Sequence, residues 1–445
     1  MVSMVLHVVT WSWAETDTGE RALHNAGTPG PRESALFSAI SEARKQLNIH
    51  GRFIQETAYR VHDSGEFTKI RQQVLLTEQL PLTHDVQFHS TQRAYEDAVF
   101  GGTDNYPHHV RSDQEWDVEL RETYVDYSHG ALDVRLGKQQ IVWGDTVGLF
   151  VADTVNAKDL REYILPDFDL IRIPQWAVDV EATQGQAHAE FVWLPVRDFD
   201  KLGVSGSEFE QPYPVPTGTT FTTTDPSRPP ASFSNSEIGG RVSYLLNGLD
   251  VGAFYLYTWD KLPIFFRTIS GSVYQFSPKY RRAHLFGATF SKDVHGIVFK
   301  GELLINPNSD LTTFDTKDSD GIVRRPVIDY VLGADYTWLN KIDTNVQLIQ
   351  RVIGHHTDLM QDDTVRTHLS FWAKTDLLNG RLQPEFLLLA GVTEVDLMYR
   401  PKLTVKLTDA LQWKVGADVF QGRPGGLFGR FEDRSRIYSE LTYFF

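Results

Sequence analysis

Apolar and polar residues alternate along most of the chain from residue 47 onward, which is the period-two pattern of strands with one apolar and one polar face. Between Leu411 and Val419 every second residue is apolar, and Lys414 and Asp418 occupy positions between them. The pattern predicts about 18 strands, with 16 as the alternative count. The predicted strands begin near residues 47, 67, 85, 115, 132, 176, 187, 237, 249, 281, 296, 327, 344, 367, 381, 397, 411 and 435.

The connections between these strands alternate between short and long. Tight hairpin turns favour Asn, Asp and Gly, and such residues mark most of the short connections. Short turns are predicted at His84–Asp85, His129–Gly130, Gly185–Gln186, Asn247–Gly248, His295–Gly296, Asn340–Asp343, Asn379–Gly380 and Thr408–Ala410. Long connections are predicted at Glu96–Gln114, Gly144–Gln175, Asp198–Ser236, Asp260–Lys279, Pro307–Pro326, Gly354–Arg366 and Gln421–Arg434. Short turns at one end and long loops at the other are typical of barrels in the bacterial outer membrane.

The sequence therefore predicts an all-β fold, a single transmembrane antiparallel β-barrel over residues 47–445 with long external loops and short periplasmic turns. An even number of strands would leave both termini in the periplasm. The alternation breaks between Glu119 and Asp126, where Glu122 and Asp126 fall on the face assigned outward. This break indicates a bulge or a misassigned strand.

The last stretch, Ser435–Phe445, is the predicted closing strand. Phe445, Tyr443, Leu441, Ser439 and Ile437 lie two residues apart along an almost wholly apolar face. Outer-membrane barrels close their last strand against the first and carry aromatic residues at the lipid interface. The ending is similar to the terminal-Phe signal by which such barrels are recognised, so the barrel-insertion machinery is an expected partner through Phe445.

Two segments precede the barrel pattern. Residues 1–14 combine a short apolar core with a small residue at Ala14 and are expected to be the remnant of a secretory signal peptide. Residues 15–46 are expected to form a periplasmic segment. It would include a short helix around Glu33–Ile40, where the apolar spacing is helical.

Composition excludes several classes of function. The formal charge of −15 argues against nucleic acid as a partner, and the absence of cysteine excludes disulfides and Cys-ligated metal centres. No cofactor is expected. No metal site is expected either, because His355 and His356 are adjacent residues of a predicted exposed loop, where such side chains are usually solvated. His368 and Ser370 share an inward face, as in a barrel hydrolase, but no Gly-x-Ser-x-Gly motif or orienting third group accompanies them. No enzyme activity is predicted.

One long connection, with its flanks Gly137 to Trp176, is rich in apolar residues. Asn156 is placed to cap a short helix, with Asp159 in its first turn. Such a loop must bury its apolar residues, and a barrel of about 16 to 18 strands offers its lumen. The segment is therefore predicted to fold inward and set the bore; an external lid is the alternative. Its candidate site residues are Lys138, Gln139, Trp143, Asp145, Asn156, Asp159, Arg161, Glu162, Arg172 and Gln175.

Charges of both signs fall on the predicted inward faces, and the basic ones cluster on the last strands. One interpretation is a transverse field across the pore, and the other is neutralisation by neighbouring opposite charges. The second of the two longest connections, Asp198–Ser236, is rich in Pro, Thr and Ser. This composition predicts an extended surface loop. Further lumen candidates are Arg400, Lys402, Lys406 and Lys414.

A family resemblance rests on Gly137–Gln140, Trp143–Asp145, Asn156, Asp159–Glu162 and Arg172–Pro174. These motifs resemble the outer-membrane barrel family catalogued as domain of unknown function 1302. Its members carry a Gly-Arg-Gln strand leading into Trp-Gly-Glu and a later Asn-Pro-x-Asp/Asn stretch. Lys138, Asp145 and Ala157 depart from that pattern, where the family has Arg, Glu and Pro. The resemblance implies a porin-like protein that moves hydrophobic or organic compounds, and it implies no catalytic residues.

Together these features predict a monomeric or trimeric outer-membrane channel, or the uptake or exit pore of a transport system, for small or hydrophobic organic solutes. The expected partners are outer-membrane lipid, lipopolysaccharide, a small-molecule solute and a periplasmic transport component. An alternative is a structural or docking barrel, with a plugged lumen, for a periplasmic transport or electron-transfer protein. A soluble multi-sheet carbohydrate-binding protein is a further alternative.

Overall fold

The computed structural model describes residues 48–62, 65–103, 105–211, 220–271 and 273–445. The expected signal remnant at residues 1–14 and the expected periplasmic segment at residues 15–46 lie outside the described residues.

Eighteen antiparallel strands form one closed sheet, in which each strand pairs with its sequence neighbours and the first pairs with the last. The predicted fold class is therefore confirmed, with 18 strands and not 16. The strands are β1 (Ile49–Arg60), β2 (Glu66–Pro81), β3 (Val86–Asp97), β4 (Trp116–His129), β5 (Leu132–Gln139), β6 (Gln175–Gln184), β7 (Ala187–Val196), β8 (Glu237–Leu246), β9 (Leu249–Trp259), β10 (Arg282–Val294), β11 (Ile297–Thr312), β12 (Ile322–Trp338), β13 (Ile342–Ile353), β14 (Val365–Thr375), β15 (Leu382–Gly391), β16 (Asp396–Lys406), β17 (Leu411–Gly422) and β18 (Arg436–Phe444).

Short turns close one rim of the barrel, which we call the turn rim. Several of them use the left-handed backbone that tight hairpins require, as at Asn247 (φ 49°) and Gly248 (φ 75°). The opposite rim, the loop rim, carries the long connections, of which residues 140–174 and 197–236 are the longest. Two connections at the loop rim, 61–65 and 392–395, are short, and the sequence analysis did not predict them as loops.

The predicted loop Pro307–Pro326 is too long. β11 continues to Thr312 and β12 begins at Ile322, so the loop covers only residues 313–321. A register shift on β11 between Asn306 and Ser309 accommodates the interruption. Proline lacks the amide that a ladder hydrogen bond needs, and a bulge lets the strand pass it without ending.

The break in alternation on β4 is a bulge at Arg121. Leu120 and Glu122 pair with consecutive residues of β3, which leaves Arg121 without a partner in that ladder. The extra residue shifts the alternation, so Asp126 turns inward and accepts a hydrogen bond from Arg135 (2.6 Å). The two carboxylates that the sequence pattern placed outward therefore face the lumen.

The outward faces of the strands are apolar. Leu136, Leu332, Val346 and Leu369 are each about half exposed, although they lie in the middle of regular strands. A soluble protein rarely exposes so continuous an apolar surface, whereas a transmembrane barrel turns it to lipid.

The loops contain the remaining structure. In the part of the chain that the structure describes, the helices are α1 (Ala98–Gly102), α2 (His108–Gln114) and α3 (Phe168–Ile171), with 3₁₀ turns at Phe233–Asn235 and Gly429–Arg434. The short loop strands are Ala157–Leu160, Arg172–Ile173, Lys201–Leu202, Thr220–Thr223, Ile264–Ser270 and Val273–Lys279. No helix among the described residues is long and apolar enough to cross a bilayer.

Part of the loop between β7 and β8 is buried, which corrects the prediction of an extended surface loop. Phe209 is almost fully buried and lies 5.4 Å from Phe431 and 6.2 Å from Phe420, measured between ring centroids. Phe428, from the loop between β17 and β18, belongs to the same cluster. Phe209, Phe420, Phe428 and Phe431 cover one side of the barrel at the loop rim, and we call them the aromatic roof.

The junction of the first and last strands gives a testable packing prediction. Gly51 and Phe445 exchange two backbone hydrogen bonds of 2.9 Å, and a Cβ atom on Gly51 would lie 2.3 Å from the Phe445 ring. Gly51→Ala should displace that ring and destabilise the barrel by about 1–2 kcal/mol, measured as an earlier loss of heat-modifiable migration. Gly240→Ala is the control, since its nearest neighbour would be at 3.3 Å. Equal effects of the two substitutions would refute the role of the ring.

Candidate functional site

Residues 140–174, which join β5 to β6, lie inside the barrel and are called the inner segment. Its base is fixed by Gln139 and Gln175, which pair in register at the ends of the two strands and are fully buried. Gln139 donates to the carbonyl of Ala177 (3.3 Å), and Gln175 donates to the carbonyl of Ile173 (2.8 Å). The inner segment therefore leaves and rejoins the wall at adjacent points.

The first half of the inner segment packs on an apolar part of the lumen wall. Trp143 and Val155 are nearly fully buried there. The Trp143 ring lies 5.1 Å from that of Phe254, and its indole nitrogen donates to Glu190 (2.8 Å). Apolar side chains that point into the lumen do not face lipid, and they are unfavourable against water. Here they are covered because the inner segment packs on them, and we call this part of the wall the seat. The wall residues of this seat are Ala177, Val192, Leu194, Phe254, Leu256, Leu304, Val331 and Ile349.

Polar side chains of the wall also hold the backbone of the first half. Glu302 on β11 accepts from the amide of Ala152 (2.9 Å). Gln347 on β13 accepts from the amide of Val147 (3.1 Å), and Ser370 on β14 donates to the carbonyl of the same residue (3.3 Å). Buried backbone groups need such partners, so these contacts fix the path of the segment.

The second half crosses to the opposite wall. Tyr163 and Leu165 pack among Met398 and other buried residues of β15–β17. Arg400 on β16 donates to the carbonyl of Leu165 (2.7 Å), and the Tyr163 hydroxyl donates to the carbonyl of Leu427 (3.1 Å). The inner segment is thus bound on opposite sides of the lumen.

Glu162 connects the second half to β2. Its carboxylate accepts hydrogen bonds from Lys69 and Arg71, which are both nearly buried. Burial alone would raise the pKa of Glu162, but Arg71 and then Lys69 outweigh burial and hold this pKa well below its usual value. The Arg71 Nε donates no hydrogen bond within the described residues, and Asp97 Oδ2 lies 3.4 Å from it. Arg71 is therefore held between two carboxylates, Glu162 and Asp97.

A second buried carboxylate organises the facing strands. Asp418 has no exposed surface and accepts from Arg400 (2.6 Å) and Arg436 (2.8 Å). We call twelve inward charged residues of β1–β3 and β15–β18 the charged wall. Its members are Arg52, Glu56, Lys69, Arg71, Arg93, Glu385, Arg400, Lys402, Lys414, Asp418, Arg436 and Glu440.

A cavity of about 300 Å³, the inner cavity, separates the second half of the inner segment from the charged wall. Eight basic and five acidic side chains line it, and Leu165, Pro166 and Phe168 face it from the segment. It adjoins a second cavity of about 390 Å³ near the turn rim, with which it shares Arg52. On the side of the inner cavity away from the turn rim, a space of only about 30 Å³ lies beside Tyr95.

Several predicted site residues hold the inner segment in place. Asp145 accepts from Lys300 of β11 (2.9 Å). Arg161 donates to Asp159 (2.6 Å) and to the carbonyl of Asp113 (2.6 Å). These contacts lie away from the inner cavity and fix the segment to neighbouring loops and strands.

Other predicted residues stabilise the fold of the segment or line the inner cavity. Arg172 donates to Asp153 (2.6 Å) within the segment. Lys402 bonds to Glu385 (2.8 Å) and Lys414 to Glu440 (2.9 Å) on the charged wall. The structure therefore brings Arg400, Lys402 and Lys414 together at the inner cavity. Gln139, Trp143, Asp145, Asn156 and Gln175 do not line it.

Two predicted lumen residues lie elsewhere. Lys138 shares the outward face of β5 with Leu136, because Gln139 and its alternate neighbours point inward; its ammonium group donates to the carbonyl of Leu120 (2.8 Å). Lys406 is exposed at the last residue of β16, beside a turn. Lys138 is excluded from the lumen by strand alternation, and Lys406 is too close to the turn rim to reach the inner cavity.

The predicted helix after Asn156 is wrong. Residues Ala157–Leu160 form a short strand that pairs with Arg172–Ile173. The Asn156 side chain instead accepts from the amide of Ile141 (3.2 Å) and donates to its carbonyl (2.6 Å). A short helix, α3, begins only at Phe168. A two-sided amide clamp and a helix cap use the same side chain, and the local sequence does not distinguish them.

Lys69, Arg71 and Gln347 were not predicted from the sequence. The signal on β2 was present, since Lys69, Arg71 and Gln73 are spaced two residues apart. The apolar run Val74–Leu76 that follows hides this alternation. Nothing in the sequence marks Gln347 as a partner for a backbone amide two hundred residues away.

The structure shows the contacts of the two residues that suggested a barrel hydrolase. Ser370 donates to Val147, while His368 Nε2 lies 3.6 Å from Asp396 Oδ2. The serine is therefore used to hold the inner segment and is not arranged as a nucleophile beside its base. Among the described residues, no group of His, Asp or Glu is arranged to hold a metal ion.

Acid should loosen the inner segment. The pKa of Glu162 is lowered in the folded state, so its ion pairs contribute stability above the ordinary Glu pKa of about 4.3, and that contribution is lost as the pH falls through the lowered value. Ionic conductance of planar bilayers that contain the protein should stay constant from pH 7 to about 5 and rise only well below the ordinary Glu pKa. Glu162→Gln should abolish this acid step, and a step that survives the substitution would assign it to another group.

Comparisons with known proteins agree with this architecture. The chain matches the family model "Protein of unknown function (DUF1302)" over residues 55–435. Comparison with curated proteins gives no match. OccAB1 of Acinetobacter baumannii is 9% identical, with a TM-score of 0.51 over 89% of this chain and 96% of that chain. OccK2 (OpdF) of Pseudomonas aeruginosa, solved in complex with glucuronate, is 9% identical, with a TM-score of 0.49 over 89% and 97%.

OmpF of Salmonella typhi, solved in complex with daunomycin, is 10% identical, with a TM-score of 0.42 over 89% of this chain and 97% of that chain. The likeness to OccAB1, at 9% identity, shows a shared barrel fold and nothing about solutes. The family match is of a different kind, because it runs from β1 to the end of the last loop and includes the whole inner segment. The chain therefore belongs to the DUF1302 family and has the closed antiparallel barrel of outer-membrane porins.

Proposed function

We propose that the protein is an outer-membrane channel for small organic solutes and that the inner segment sets its bore. The observation that carries this proposal is the inner cavity between the segment and the charged wall. A barrel of 18 strands is wide enough for an aqueous lumen, and the segment reduces that lumen to one side. The remaining passage is polar on the wall side and apolar on the segment side, which suits small organic molecules.

The proposed orientation places the turn rim in the periplasm. Short periplasmic turns and longer external loops are the rule in bacterial barrels, and Asn48 and Phe445 both lie at the turn rim. In this orientation the second cavity opens toward the periplasm and the aromatic roof faces outward. A periplasmic transport component would then meet the turn rim, and lipid and lipopolysaccharide would surround the apolar outer band.

Solute entry into vesicles tests the channel function directly. Liposomes that contain the protein should swell in small solutes such as glycerol and arabinose and should not swell in raffinose, because a passage as narrow as the inner cavity excludes the trisaccharide. Heat-denatured protein in the same vesicles is the control. Entry of raffinose at the same rate as glycerol would contradict a bore set by the inner segment.

The small space beside Tyr95 favours a second candidate, a barrel whose lumen stays plugged and whose turn rim docks a periplasmic protein. At about 30 Å³ this space holds little more than a water molecule. A plugged docking barrel should give no swelling in any solute, both as the intact protein and after the contacts of Glu162 are removed. If the protein is a channel, removal of these contacts should change the rate of swelling.

A further inference from the structure

We propose that the inner cavity binds organic acids that carry one carboxylate on a small apolar body, and that Glu162 occupies the carboxylate position when no acid is bound. This inference rests on the channel function proposed above, because it names the class of solute that the channel accepts. It also assigns Glu162 a role as an internal competitor of that solute.

The cationic pair of β2 is the recognition element for the carboxylate. Lys69 and Arg71 are each only 6% exposed, and both line the inner cavity while they bind Glu162. Buried cations are costly unless carboxylates accompany them. Glu56 lies 3.7 Å from Lys69 and Asp97 lies 3.4 Å from Arg71, and Glu162 is the carboxylate that hydrogen-bonds both cations. The Nε edge of Arg71 faces Asp97, so the terminal nitrogens that now bind Glu162 are the donors that an acid in the cavity would take over.

The charge of the lining points the same way. The whole chain has a formal charge of −15, yet eight basic and only five acidic side chains line this cavity. Neighbours outside the lining, such as Glu162 and Asp97, offset part of this excess while the inner segment is docked. When Glu162 leaves, the excess becomes available to a solute. An anion is therefore the solute charge that the site compensates best.

The apolar body follows from the opposite side of the cavity. Leu165, Pro166 and Phe168 face the charged wall across the space, and Ile54 and Leu387 extend the apolar surface along the wall. A volume of about 300 Å³ lies at the small end of ligand sites, so the body is the size of a phenyl group or a short alkyl chain. A site with cations on one side and apolar groups on the other matches an amphipathic monoacid.

If the organic acid competes with Glu162, its binding would be coupled to opening of the channel. Glu162 belongs to the inner segment, whereas Lys69 and Arg71 belong to the wall. An acid that takes over the two cations frees the second half of the segment from β2, although Arg400 still binds the carbonyl of Leu165. The acid thus binds the loosened state better than the docked state, which is the requirement for a ligand to shift the population.

The simplest competing explanation is structural: the two cations neutralise Glu162, Glu56 and Asp97 and bind no solute. The two explanations differ in what Glu162→Gln does to acid binding. A structural pair predicts unchanged or weaker binding, because the site becomes disordered. Competition predicts tighter binding, because the cations are left without their internal carboxylate.

The test uses 3-phenylpropionate as the probe and the neutral 3-phenylpropanamide as its matched control, with the full-length protein in detergent micelles. Titration calorimetry should show that the acid binds at least about tenfold more tightly than the amide, since charge-assisted hydrogen bonds distinguish them. Glu162→Gln should tighten acid binding by about tenfold, and Lys69→Met or Arg71→Met should weaken it by about tenfold or more. Glu162→Asp keeps the charge on a shorter side chain and should fall between the wild type and Glu162→Gln.

Control variants show whether the effect is local. Arg135→Met and Glu181→Gln alter inward ion pairs on β5 and β6, away from the inner cavity, and should leave acid affinity unchanged. Heat-modifiable migration establishes that each variant is folded. Equal affinity for acid and amide, or unchanged affinity in Glu162→Gln, overturns the inference.

Swelling experiments separate this inference from the proposed function. If the acid and the amide enter vesicles equally fast while affinity is insensitive to Glu162, the channel function stands and the organic-acid site is rejected. If the acid binds competitively as described but neither compound enters, the site stands and the channel function is rejected. Faster entry of the acid, lost in Arg71→Met, supports both.

Discussion

Replacing residues 143–172 by a short Gly-Ser linker is expected to raise single-channel conductance by on the order of tenfold or more. An empty barrel of this strand number encloses an aqueous pore, and the inner segment now fills most of it. The barrel should survive the change, because β5 and β6 pair with each other and their ends, Gln139 and Gln175, are already adjacent. Single-channel recording in planar bilayers at a fixed salt concentration is the measurement.

Shortening the loop at residues 313–321 is the matched control, since it also joins two paired strands but lies outside the lumen. It should leave conductance unchanged. The prediction fails if both deletions give the same conductance, or if removal of the inner segment leaves a folded barrel that is electrically silent. The second result would mean that another part of the chain closes the lumen.

Asp418→Ala is expected to destabilise the barrel by about 3–5 kcal/mol. The substitution leaves Arg400 and Arg436 without their shared carboxylate in a site with no exposed surface at Asp418. It should also loosen the inner segment, because Arg400 links this ion pair to the carbonyl of Leu165. Urea unfolding of the protein in lipid vesicles measures the change in the free energy of unfolding.

Asp329→Ala provides the comparison. Its partner Arg351 is 45% exposed, and a single solvated pair contributes at most about 1 kcal/mol. A loss for Asp418→Ala no larger than that of Asp329→Ala would show that water reaches the buried site and screens the two arginines. Asp418→Asn keeps the shape of the side chain and removes its charge. Its loss of unfolding free energy should lie between those of Asp418→Ala and Asp329→Ala.

The sequence predicted the barrel well because every strand of a membrane barrel meets two solvents. Lipid on one side and water on the other impose alternation on each strand independently, so the pattern near Leu411 could be interpreted without any knowledge of its neighbours. The bulge at Arg121 was also visible, since one extra residue inverts the alternation that follows it. The prolines at 307 and 326 misled the analysis, because a bulged strand and a loop both tolerate proline.

The candidate site was predicted only in part, since its contacts join residues far apart in the chain. The apolar content of the inner segment indicated that it must be buried, and the lumen was the available place. Its partners could not be predicted. Lys69 and Arg71 look like any inward charges of a strand, and only the fold places Glu162 between them. Asn156 fits a helix cap equally well, so the clamp on Ile141 needed three-dimensional information.

The unequal lengths of the strands give the barrel an uneven height. β11 and β12 have 16 and 17 residues, whereas a tilted strand crosses a bilayer with about 9–11. The surplus carries residues 313–321 beyond the ends of the shorter strands, where two neighbouring loops support them. Arg267 donates to the carbonyls of Thr313 (3.0 Å) and Asp315 (2.7 Å), and the carbonyl of Leu359 accepts from the amide of Phe314 (2.7 Å). In the proposed orientation this supported extension projects outside the cell, and an epitope tag inserted there should be reached by antibodies on intact cells.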